Sequence, residues 1–183
     1  MGTKFSTRIW VSVVGIASIF FGSKGYADTV ISVADFGLKP DTRENAVAYV
    51  QKAIEACRGK EPVTLVFPEG RYDFWPQYAH EKNYYETNTY DVFPKRLAML
   101  FEGFHNITVD GNGSQFVMHD RIQPITVENC DGVTLKNFSI DWDIPLTAQA
   151  RVIKVGSDFF EIEINVLESP YIIEDGKLVF VGE

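Results

Sequence analysis

The sequence predicts an all-β protein: a parallel β-helix capped at its start by one helix and followed by antiparallel hairpins. Three observations carry this prediction. Residues 100–111 (LFEGFHNITVDG) and 126–137 (TVENCDGVTLKN) repeat one pattern 26 residues apart, pairing Phe101 with Val127, Glu102 with Glu128, Ile107 with Val133, Thr108 with Thr134 and Val109 with Leu135. A repeat of this period, with a short strand and a turn in each copy, marks a solenoid, because one unit cannot bury its apolar face alone. Upstream, residues 46–57 carry one apolar stripe at helical spacing. Downstream of Asp143 the pattern changes to strict alternation, the signature of half-exposed antiparallel strands.

The elements follow in order. Lys4 and Arg8, the 13-residue apolar run Ile9–Phe21 and the Gly25-Tyr26-Ala27 cleavage pattern make residues 1–27 an expected secretory signal peptide, too short in its apolar run to span a bilayer. The chain is therefore expected to be exported: periplasmic, cell-surface or secreted. Removing the leader takes away Lys4, Arg8 and Lys24, so the balance of 17 basic against 25 acidic residues becomes 14 against 25, or −8 becoming −11. That charge disfavours nucleic acid and acidic pectic glycans as partners, and fits neutral sugars better. Cys57 and Cys130 permit a disulfide in an exported protein, but serve equally as two small buried hydrophobes. No CxxC or His/Cys cluster suggests a metal, and no cofactor is called for.

Residues 28–143 are expected to form the cap and first coils. Asp28–Phe36 is a short apolar stretch closed by Gly37. Asp41 with Glu44 forms a candidate capping box for the helix whose stripe is Ala46, Val47, Val50, Ala53, Ile54 and Cys57, ended by Gly59. Such a helix covers an open solenoid end or serves as a crossover between strands. Val63–Phe67 reads as a buried strand, broken by Pro68-Glu69-Gly70 and resumed over Arg71–Phe74. Eight aromatics between Tyr72 and Phe93 show no steady period and suggest a long ordered loop, whose rings pack on the domain or stack on sugars. Asp110–Gly113 turns the chain after the first repeat copy. Residues 144–183 are expected to form an antiparallel insertion, with Ala148–Val155 pairing Phe159–Val166, and Tyr171–Ile173 pairing Leu178–Val181 around Asp175-Gly176.

Several of these stretches together carry a resemblance. VADFGLKPDTRENAVAYVQKAIEAC followed by LVFPEGRY resembles the entry motif of the pectate-lyase-like right-handed β-helix superfamily. RYDFWPQY, PKRLAMLFEGFHNITVDGNGSQFVMHDR, LKNFSIDWDIPLTAQARV and PYIIEDGKLVFVGE resemble glycoside hydrolase family 110, bacterial α-1,3-galactosidases. The resemblance covers residues 30–183. It implies a right-handed parallel β-helix carrying barrel-like antiparallel elements. It also implies an exo-acting, inverting hydrolase of terminal α-1,3-linked galactose on blood-group-B-type or linear glycans. On that basis the chain is the N-terminal part of a longer protein, with the catalytic carboxylates expected beyond Glu183. A non-catalytic glycan-binding β-helix and a pectin-active β-helix enzyme are the alternatives.

Within the chain, Asp141-Trp142-Asp143 is the sharpest constellation. Residues two apart on a strand share a face at about 6.6–6.8 Å, which falls within the roughly 6.5–9.5 Å that an inverting acid–base pair needs. Asp-x-Asp at a strand end is also a common turn former, and substrate lining suits these residues as well as catalysis. His119 and Arg121, flanking Asp120, are candidates to bind sugar hydroxyls, or else a solvated His beside an Asp–Arg surface pair. Glu102 and Glu128 are expected to stack as neighbours in adjacent coils, and the sequon residues Asn106 and Asn137 to be coil asparagines rather than glycan sites.

Overall fold

A computed structural model describes residues 29–83 and 94–182. The expected leader (1–27) and four aromatics of the expected loop, Tyr84, Tyr85, Tyr90 and Phe93, lie outside the described residues. Strand β1 (Thr29–Ser32) runs into a 3-10 turn (Val33–Phe36), closed reciprocally by Ser32 and Asp35 and left through Gly37 at φ 92°. Helix α1 (Val47–Cys57) buries Val47, Val50, Ala53, Ile54 and Cys57, the stripe the periodicity predicts. Its start corrects the expectation of an Asp41–Glu44 capping box. Asp41 sits at φ 61°, its carboxylate accepts from the Arg71 N–H at 2.9 Å, and its own N–H donates to the Arg71 carbonyl at 2.9 Å. The segment from Asp41 to Ala46 is thus held alongside a strand, and the helix begins only where Asn45 Oδ1 accepts from the Val47 N–H at 3.1 Å.

Strands β2 (Val63–Val66), β3 (Arg71–Phe74), β4 (His80–Lys82), β5 (Lys95–Glu102), β6 (His105–Met118), β7 (Gln123–Glu128) and β8 (Asp131–Trp142) form two sheets. In one, β1, β2, β6 and β8 are parallel neighbours, and β3 pairs with the second half of β6. In the other, β5 and β7 are parallel, with β4 antiparallel on the outer side of β5. The stretch read as a continuous aromatic loop therefore contains a strand, β4.

The 26-residue repeat sets the register. Leu97 faces Gln123, Phe101 faces Val127 and Val109 faces Leu135. After Asp110 the pairing slips, so that Ser114 faces Phe138, because Asp110-Gly111-Asn112-Gly113 turns with more residues than its neighbour spends between Lys136 and Phe138. Gly111 lies against that neighbour; a Cβ there would stand 2.5 Å from Phe138 Cβ. Asn106 and Asn137 occupy left-handed bends within β6 and β8, at φ 54° and 60°.

The core lies between the sheets and under α1. It includes Leu65, Phe67, Tyr72, Phe74, Phe101, Phe104, Ile107 and Phe116. Cys57 and Cys130 are both free; burial pushes the Cys57 thiol up to about 11, and Cys130 Sγ accepts from the Phe104 N–H at 3.3 Å. Two antiparallel hairpins follow, β9 (Arg151–Val155) with β10 (Phe160–Glu163) and β11 (Tyr171–Glu174) with β12 (Lys177–Phe180). The second turns through Asp175 and Gly176, both at positive φ, as a two-residue hairpin of matching twist requires. Among the described residues no helix is long and apolar enough to cross a membrane.

Candidate functional site

The parallel ladder continues one residue past the strand ends. The His119 N–H donates to the Phe74 carbonyl at 2.9 Å, and the Asp143 N–H to the Met118 carbonyl at 3.0 Å. Trp75, His119 and Asp143 are thereby successive rungs. Strand alternation sends Phe74, Met118 and Trp142 toward the core and these three to the opposite face. Adjacent rungs stack: the Trp75 and His119 rings lie 3.8 Å apart at 8°.

His119 is buried, which corrects the solvated alternative. Its Nε2 is 2.8 Å from Asp73 Oδ1. The fully buried Asp73 side chain also receives Arg71, with Nε at 3.0–3.1 Å and Nη2 at 2.6 Å. Arg71 Nη2 reaches Asp143 Oδ1 at 2.7 Å, and Arg43 Nη1 approaches the same oxygen at 3.6 Å. Burial alone would push the Asp73 carboxyl up; hydrogen bonds from Arg71 and His119 and their charges outweigh it and hold the group below the usual carboxylate range. The same bonds with Asp73 and Asp143 raise Arg71. Asp73, His119 and Asp143 bring three possible ligand atoms within 4.8 Å of one another. The Arg71 guanidinium already bonds both carboxylates and fills the cationic position of that cluster.

Beside this network lies an open pocket of about 630 Å³. Trp75 and Pro76 give it an apolar wall; Arg43, Asn45, Gln77, Arg96 and Asp120 supply polar groups. Asn45 braces that wall, its Nδ2 donating to the carbonyls of Trp75 (3.5 Å) and Gln77 (3.1 Å) and its Oδ1 accepting from the Trp75 N–H (3.3 Å).

The structure separates the residues that the sequence groups together. Asp143 joins the Arg71 network. Asp141 is exposed and its carboxylate accepts from the Trp142 N–H at 2.8 Å, a local turn-like contact. Trp142 packs on the core and donates from Nε1 to the Asp120 carbonyl at 3.3 Å. Arg121 is exposed. Arg43, Arg71 and Asp73 carry no site expectation from the sequence, whereas Trp75 is one of the eight aromatics expected to pack on the domain or stack on sugars. The available signal was Arg71-x-Asp73 on one strand face. On the other sheet Glu102 and Glu128 are register neighbours as expected, and Lys82 from β4 bonds both, at 3.1 and 2.7 Å. These contacts raise the Lys82 ammonium well above its usual value.

No protein-family model matches the chain. Curated proteins do. It is 60% identical over 157 residues, 86% of this chain and 26% of the relative, to alpha-1,3-galactosidase B of Bacteroides thetaiotaomicron. It is 38% identical over 154 residues to alpha-1,3-galactosidase A of Shewanella woodyi, covering 84% of this chain and 25% of that protein. It is 35% identical over 179 residues to an alpha-1,3-galactosidase B of Phocaeicola vulgatus, covering 96% of this chain and 28% of that protein. The chain spans about a quarter of the length of the curated relatives it matches. Over that span, the chain is a homologue of the bacterial proteins named alpha-1,3-galactosidase.

Proposed function

We propose that the whole protein is an exo-acting, inverting glycoside hydrolase of family 110 that removes terminal α-1,3-linked galactose from blood-group-B-type or linear glycans. The observation that carries this is the 60% identity over 157 residues to a protein named alpha-1,3-galactosidase B. In this reading the parallel strands are the opening coils of a right-handed β-helix, α1 is its cap, and the hairpins are the start of a barrel-like insertion. The parallel pairing of β1, β2, β6 and β8 supports it. Residues 1–27 direct export, and the chain supplies scaffold and the first glycan-facing surfaces. In this reading the acid and base lie beyond Glu183, which fits the bonding of Asp143 to Arg71 and of Asp141 within its own turn.

Inversion needs one carboxylic acid to protonate the leaving oxygen and one carboxylate to activate water on the opposite face. The test is hydrolysis of α-1,3-galactobiose by the intact protein, followed by NMR. β-Galactose appears first if the proposal holds. α-Galactose first, or glycan binding with no hydrolysis, overturns it. Residues 28–183 alone are expected to show no turnover.

A further inference from the structure

We infer that the pocket beside Trp75 is a binding subsite for one pyranose unit of a neutral glycan. Its volume of about 630 Å³ is that of a small-ligand site. A pyranose presents a C–H face and a rim of hydroxyls, each both donor and acceptor. The pocket offers the complement: the Trp75 indole and Pro76 for the ring, and guanidinium, amide and carboxylate groups of Arg43, Gln77, Arg96 and Asp120 for the rim.

The charges already balance. Arg43 pairs with Asp143 at 3.6 Å and Arg96 with Glu81 at 3.4 Å, so the walls do not require an anionic ligand. The indole is also fixed in advance. Its ring lies against buried His119, which bonds Asp73, which bonds Arg71, while Asn45 clamps the backbone on both sides. Burying a carboxylate and an imidazole is costly unless they are paired, and here the paired chain ends at the pocket wall. A ring held in place by partners behind it is what a binding site needs.

The inference rests on the proposed glycan-active role and is tested apart from it. Calorimetric titration of the intact protein with methyl β-galactopyranoside, which no α-galactosidase reaction consumes, is compared with the Gln77→Ala and Arg96→Met variants. Both positions lie on the open pocket rim, and thermal melts verify folding. Binding weakened at least about fivefold in each folded variant is expected. Undiminished binding in both, or stronger binding of galacturonate than of the galactoside, overturns the subsite. Turnover of α-1,3-galactobiose by the unsubstituted protein is scored separately. Variant-sensitive binding without turnover sinks the hydrolase proposal and leaves the subsite standing. Turnover with variant-insensitive binding does the reverse.

Discussion

Asp73 is a carboxylate wholly out of water, kept charged by Arg71 on one side and His119 on the other. Removing Asp73 takes its carboxylate from buried His119 and leaves Arg71 with Asp143. Asp73→Ala is expected to lower unfolding free energy by about 3–5 kcal/mol, read from urea midpoints at unchanged slope, and Asp73→Asn by less. The pH dependence has a definite sign. The folded-state pKa of Asp73 lies below its unfolded value of about 3.9, so its contribution is fully present above that value and is lost as pH falls through the folded one. Asp73→Asn should flatten the acid limb of stability below about pH 4; an unchanged limb contradicts this account of Asp73. Part of the network was legible in the sequence: Arg71 and Asp73 are two apart on a strand and must share a face. His119 was not, because only the strand register brings it to Asp73. The Asp141-Trp142-Asp143 triplet shows the converse. Its alternation was legible, but what Asp143 bonds to depended on Arg71, 72 residues away along the chain.

At the scale of elements, a repeat is legible because stacked segments repeat the same inward positions, and the 26-residue offset passes directly into the register of β5 with β7 and of β6 with β8. The slip after Asp110 was not legible: a turn that grows by two residues leaves the apolar pattern intact on both sides. That turn has no spare room. Gly111→Ala places its methyl against Phe138 Cβ and the Asn137 carbonyl, at 2.5 and 2.7 Å before any shift, and should cost about 1–3 kcal/mol in urea unfolding. The late start of α1 was hidden for a related reason, since the Asp41 carboxylate that would cap a helix is taken by the backbone of β3. Between sheet neighbours, Lys82 ties β4 to β5 and β7 through Glu102 and Glu128. Its raised pKa keeps its contribution present throughout neutral pH, with loss only as pH rises through the folded value. Lys82→Met leaves the two glutamates as adjacent like charges. The variant should melt lower than the parent at pH 7.

Across the whole molecule, burial falls off sharply along the inward rows of the stack. Phe101, Val109 and Phe116 are each 0% exposed, whereas their register partners Val127, Leu135 and Ile140 are 47%, 40% and 38% exposed. Among the described residues β7 and β8 each have one parallel neighbour, so an unpaired backbone edge coincides with an open apolar row. The hairpins and the turn between them add Val155, Phe160, Leu167 and Ile173 to the exposed apolar surface. An edge of that kind is a template for association, and contiguous apolar exposure on this scale does not stay solvated. The 183-residue chain is therefore expected to bind hydrophobic dye in its folded state and to self-associate at micromolar concentration, despite a net charge of −8 that opposes contact. The two ends of one row should answer differently to the same substitution. At Val127 a lysine can carry its ammonium out to water along its own stem, so Val127→Lys should change stability by less than about 1 kcal/mol while shifting sedimentation toward monomer. At Phe101, one strand further in, the same charge has no route to solvent, and Phe101→Lys should abolish cooperative folding. If Val127→Lys unfolds the chain as Phe101→Lys does, the row is closed at that end and the association has another source.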